Sequence, residues 1–151
     1  MRFRFFVRRN RGVFAIIALA AVLLWVIICL FRIDSSTNEM IIEYMSGLGW
    51  NIEESPREIT HLTVPEEFDA VYRTYNAIQK PSGFDLESFK GKKVVRYSYR
   101  VLNHKYSSET DVTAGIFVFE NAIIAGDISS ASPNGFMHAV TETDYIDEIQ
   151  Y

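Results

Sequence analysis

Nineteen consecutive residues without a charge, Val13 to Phe31 (VFAIIALAAVLLWVIICLF), constrain this chain more than any other feature. As a helix at about 1.5 Å per residue the run reaches roughly 28 Å, close to the ~30 Å hydrocarbon core of a bilayer. In lipid a backbone satisfies its own polar groups only as a helix or a closed barrel, so one apolar run predicts one transmembrane helix over residues 13–31. Five arginines and no acid precede it: Arg2, Arg4, Arg8, Arg9 and Arg11. A basic flank of this kind stays in the cytoplasm, against the single charge of Arg32 on the far side. The chain is therefore expected to be a single-pass plasma-membrane protein with a cytoplasmic N-terminus and its C-terminal part outside.

The run exceeds the roughly 7–15 apolar residues of a secretory signal, and no A-x-A site follows it, so it reads as an uncleaved anchor. Cys29 lacks the small preceding residue that lipoprotein processing needs, since Ile28 stands there. It is also the only cysteine, so the outer part holds no disulfide and depends on its core. All 19 acidic residues follow Phe31, against 10 lysines and arginines. That surplus of acid excludes nonspecific nucleic-acid binding, which needs a basic face for phosphates. The expected divisions are a basic tail (1–12), the transmembrane helix (13–31), a polar linker (32–38), an extracytoplasmic domain (39–140) and an acidic C-terminal tail (141–151).

Met40, Ile41, Tyr44, Met45 and Leu48 recur at helical spacing, predicting a helix from about Asn38 to Leu48 with Gly49 just past its end. Trp50 to Glu53 and Ile59 to Val64 alternate as short strands. Pro65 suits a first helical position, with Glu66, Glu67 and Asp69 in the first turn and an apolar stripe through Phe68, Val71, Tyr72, Tyr75 and Ile78. Gly83 to Phe89 suggests one more helical turn. From Val94 the period becomes two: Val95, Tyr97, Tyr99 and Val101 alternate with Arg96, Ser98 and Arg100. A polar loop, Asn103 to Thr110, leads to a more apolar and therefore central strand, Val112 to Phe119. Glu120-Asn121 makes a tight hairpin into Ala122 to Ser130. Phe136 to Val140 reads as a last short strand or packed loop, and Tyr145, Ile146 and Ile149 as a short amphipathic helix or a frayed tail. The class is α+β: after the transmembrane helix, an antiparallel sheet with two or three helices packed on one face.

Between Gly126 and His138 the residue types of an acid–base–nucleophile set occur together: Asp127, Ser129 or Ser130, and His138. No G-x-S-x-G elbow surrounds either serine, and a hairpin strand with a polar face accounts for them more simply. His61, His104 and His138 match no zinc spacing, so neither a metal nor another cofactor is expected, and His104 reads as solvated. Glu53-Glu54 and Glu66-Glu67 fit a strand end and a helix N-terminus. The tyrosines at positions 72, 75, 97 and 99 fit either an aromatic pocket or a core whose hydroxyls reach its edge. The candidate binding residues are Asp127, Ser129, Phe136, His138 and Tyr99, with no catalytic or metal-ligating residue assigned.

Glu43-Tyr44 through Gly49-Trp50, residues 59–72 (ITHLTVPEEFDAVY), Tyr75-Asn76, Gly83 to Leu86, Gly91 to Val94, Val101 to Asn103, Gly126-Asp127 and Gly135 to His138 together resemble an uncharacterised domain family. That family comprises short proteins with an N-terminal membrane segment in Gram-positive, often clostridial, bacteria. The resemblance spans about residues 40–140 and implies a bacterial, membrane-anchored setting, with no activity and no catalytic residues to carry over. Ser129-Ser130 stands where that family often has a cysteine.

The expected function is accordingly a noncatalytic binding module at the outer face of the bacterial plasma membrane. Its expected partners are the lipid bilayer through residues 13–31 and an envelope protein, peptide or glycan. The alternatives are a small envelope hydrolase using Asp127, His138 and a nearby serine, and a membrane-assembly subunit associating through the small-residue stripe of Ala15, Ala18 and Ala21.

Overall fold

The computed structural model describes residues 3–147, with side chains described for 14–27 and 35–147. Two units form, residues 1–37 and 38–151. Helix α1 spans Phe3–Gly47. From Phe14 to Ile27 every described side chain is exposed, Ile16 by 69% and Trp25 by 66%. Among the described residues no helix is long and apolar enough to cross a membrane. Both ends of the expected span, Val13 and Ile28 to Phe31, lie outside the described side chains.

The second unit is built on a five-stranded antiparallel sheet in sequence order: β1 (Glu58–Thr63), β2 (Lys93–Arg100), β3 (Thr113–Phe119), β4 (Ala122–Ser129) and β5 (Met137–Ala139). The meander is α+β with β3 in the centre, as its apolar composition predicts. Glu120 and Asn121 join β3 to β4 with φ of 46° and 63°, a two-residue turn whose twist matches the strands. A bulge at Phe117/Val118 shifts the register of that pair. Trp50 to Glu53 contributes only a bridge between Ile52 and Val101 rather than a strand.

Period-two alternation sends side chains to two faces, and both are covered. On the first, Tyr97, Tyr99, Ala114, Ile116, Val118 and Ile128 pack with Ile41 and Met45 of α1 and with Trp50. Ile41 and Met45 stand four apart on one helix face, and Gly49 follows at φ 90°, where the helix ends. On the second face Val94, Phe117, Ile124 and Ala125 pack with Val64, Phe68 and Leu86. Beside them, helix α2 (Ala70–Gln79) sets Tyr72 and Tyr75 on this cluster. The expectation of helices on one face only is corrected: each of the two helical stripes takes its own side.

Helix α2 also starts five residues later than Pro65 suggests. Val64 is still extended, donating to the Lys92 carbonyl at 3.0 Å and accepting from the Gly91 N–H at 2.8 Å. Residues 65–68 follow before Asp69 caps the helix, its side chain accepting from the Tyr72 N–H at 2.8 Å. Of the expected stripe, Val71 is left 73% exposed, while Asn76 and Gln79 are buried instead. After α2 come 3-10 turns at Lys80–Ser82 and Leu86–Phe89, and another at Thr143–Tyr145 stands where the C-terminal helix was expected. Ile149 lies outside the described residues.

Candidate functional site

The loop after β2 looks solvated by composition, yet it is pinned at its start. Asn103 accepts from the Asn51 N–H at 2.7 Å and donates to the Gly49 carbonyl at 2.9 Å. The C-terminal segment then crosses it: Lys105 N–H donates to the Tyr145 carbonyl at 2.9 Å, and Asp147 N–H to that of Asn103 at 2.7 Å. His104 is held between these layers at 1% exposure, correcting its reading as a solvated residue. Its ring stacks on Phe136 (centroids 4.8 Å, 11°), Tyr145 (5.6 Å, 5°) and Trp50 (5.9 Å, 13°). Trp50 in turn donates its indole N–H to the Val140 carbonyl at 2.7 Å.

From β5, His138 meets His104 with Nε2 atoms 3.4 Å apart. Their rings lie within 24° of parallel and their centroids are 5.6 Å apart, a head-to-head, nearly coplanar pair. The neighbours assign the protons. His104 Nδ1 accepts the Tyr106 N–H at 3.2 Å, so its proton is on Nε2. His138 Nδ1 faces the Ala139 carbonyl at 2.9 Å and carries the proton, leaving Nε2 as acceptor for His104. A further proton on His104 would confront the Tyr106 N–H. Burial first, then the nearby His138 and Lys105, push the His104 pKa down to about 4.

Outside this pair opens a groove of about 580 Å³, whose aromatic walls are Tyr106, Phe136, Tyr145 and His138 and whose polar rim includes Glu109, Thr110 and Asn134. Lys105 sits over the Tyr145 ring at 4.2 Å. Aromatic faces beside amide, hydroxyl and carboxylate groups suit a glycan or peptide, which offers both apolar and hydrogen-bonding surface.

Asp127 occupies the other face. In the β4–β5 register it pairs with Ala139, whereas His138 pairs with Ile128, so alternation directs the two side chains to opposite faces. Asp127 is fully buried and accepts from the Tyr75 hydroxyl at 2.6 Å and the Ser129 hydroxyl at 2.9 Å. Burial raises its pKa, while these bonds and Arg96 oppose the rise. Burial, then Asp127, raises Tyr75 as well. Arg96 Nη2 lies 3.8 Å from Asp127, its guanidinium crossing Gly115, where a Cβ would come within 2.2 Å of that nitrogen.

Of the sequence-derived candidates, Phe136 and His138 therefore come together in the groove, while Asp127 and Ser129 form a pair elsewhere. Tyr99 is fully buried and donates its hydroxyl to Asn38 at 2.8 Å. Ser130 is buried against Thr110, with hydroxyls 2.7 Å apart. No acid–base–nucleophile set assembles from Asp127, His138 and either serine. Composition singled out none of Arg96, His104, Tyr106 and Tyr145 as site residues. The one available signal was Tyr106 and Tyr145 as aromatics isolated in polar stretches.

Fold and site define a small α+β domain, a covered antiparallel meander bearing an aromatic, histidine-backed groove at its β5 edge. The chain belongs to the family described as Domain of unknown function (DUF4830), which matches residues 44–128. That span holds His104, Arg96 and Asp127 and stops before Phe136 and His138. No match was found to a curated protein or to a solved structure.

Proposed function

We propose that the chain is a single-pass protein of the bacterial plasma membrane, anchored by residues 13–31. Its α+β domain lies outside the membrane as a noncatalytic module that binds an envelope protein, peptide or glycan. The anchor is supported by the uncharged run and by its exposed side chains from Phe14 to Ile27, an apolar surface that lipid would cover. The orientation is supported by the five preceding arginines.

The groove carries the binding reading: its aromatic walls sit on a buried, fully hydrogen-bonded histidine pair, which holds them in place before a ligand arrives. A photo-crosslinking residue at Asn134, on the groove rim, tests it in intact cells, with Glu58 on the opposite sheet edge as control. A discrete adduct from Asn134 that disappears with Phe136→Ala is expected. Equal adducts from both positions, or none in repeated trials, contradict the proposal.

A further inference from the structure

The sheet face away from the histidines holds a second cavity, of about 260 Å³, bounded by Val71, Tyr72, Phe117 and Met137 around Arg96 and Asp127. Folding explains part of it. Gly115 lacks a side chain, so Arg96 of β2 reaches across β3 toward Asp127 of β4. It does not explain the guanidinium's spare capacity. Arg96 has five N–H donors. Among the described residues it makes one hydrogen bond, to the Ser98 hydroxyl at 3.3 Å, an ion pair with Asp127 at 3.8 Å, and a contact over the Phe117 ring at 5.8 Å. Its side chain keeps 29% exposure, in a mostly apolar wall that also holds Asp127.

We infer that this cavity binds a small organic carboxylate. The ligand's oxygens take the free guanidinium edge, where planar fork geometry matches a carboxylate, and its apolar body lies on Val71, Tyr72 and Met137. Those walls suit that body, since Val71 and Met137 are 73% and 45% exposed apolar side chains at the cavity mouth. Asp127 meets the guanidinium only at Nη2 and at 3.8 Å, beyond hydrogen-bond length, while its oxygens accept from the Tyr75 and Ser129 hydroxyls. The volume falls below the roughly 300–1,000 Å³ of drug-sized sites, which restricts the occupant to a fragment such as a phenylalkanoate. The site lies on the opposite face from the histidine pair, and Met137 lines both it and the groove.

The test uses the full chain in lipid nanodiscs, with empty nanodiscs subtracted, and saturation-transfer NMR with 3-phenylpropanoate and its uncharged amide. The acid is expected to bind saturably with a Kd of about 1 mM and the amide at least ~10-fold more weakly. Arg96→Gln should weaken the acid by at least ~10-fold. So should Val71→Asp, which sets a negative charge on an exposed helix position where an unchanged thermal midpoint verifies the fold. Equal binding of acid and amide, unchanged binding in both variants, or no saturation by about 20 mM acid would overturn the inference.

Discussion

His104 and His138 meet Nε2 to Nε2 at 3.4 Å, and the remaining nitrogen of each ring faces a backbone group, the Tyr106 N–H or the Ala139 carbonyl. One proton fills the gap between the rings, and a further proton on His104 would face the Tyr106 N–H. His104, so held, binds fewer protons folded than unfolded, which links the groove's foundation to acid.

The first prediction follows from that linkage. The folded pKa of His104 lies at about 4, below its usual value of 6.5, so its contribution to stability is complete above pH 6.5 and is lost as the pH falls toward 4. Asp127 acts in the opposite sense, because a carboxyl raised by burial favours the folded state as acid is added. The measurement is therefore a comparison of urea midpoints from pH 7.5 to 4. Wild type should lose more stability toward acid than His104→Phe, which keeps the stacking and removes the titration.

Tyr75→Phe removes one of two hydroxyls that satisfy a fully buried Asp127. Leaving that oxygen without its donor should cost about 1–3 kcal/mol in denaturant unfolding at pH 7. Asp127→Asn, which changes the charge as well, should remove most of the further effect of Tyr75→Phe in a double-mutant cycle.

Ile116 stands fully buried on the central strand in the first-face core. Ile116→Ala should destabilise by about 2–5 kcal/mol, measured by urea unfolding. A value below about 1 kcal/mol would place that face outside the cooperative core.

Glu120 adopts φ of 46° at the β3–β4 turn, a backbone that non-glycine residues reach at a cost. Glu120→Asn suits the same turn better and should raise stability by about 0.5–1 kcal/mol, visible as a higher thermal midpoint.

How much of this was legible varies with the range of the interaction. Alternation from Val94 onward gives β2, β3 and β4, and the Glu120-Asn121 turn gives their pairing, because strand period and turn chemistry are local. The sequence points to Pro65 as the start of α2, whereas Asp69 caps it. Pro65 cannot begin the helix while Val64 stays paired to Gly91 and Lys92, a pairing made through residues far along the chain. That helices cover both faces was hidden because an amphipathic stripe says which side is buried, not against which side of a sheet. The burial of His104 was hidden for a related reason. Its aromatic neighbours Trp50, Phe136 and Tyr145 come from three distant segments, and only the folded meander brings them together. The Tyr75–Asp127 bond spans 52 residues and had no sequence signature.

The proposed anchor and orientation are tested most directly by adding protease to intact cells expressing the full chain with a C-terminal epitope tag, a cytoplasmic protein serving as the integrity control. The account predicts that the tag and domain are digested while the cytoplasmic control survives and the N-terminal segment stays with the membrane. Survival of the tagged domain until the cells are lysed, or release of the intact chain from membranes by high salt, would contradict it.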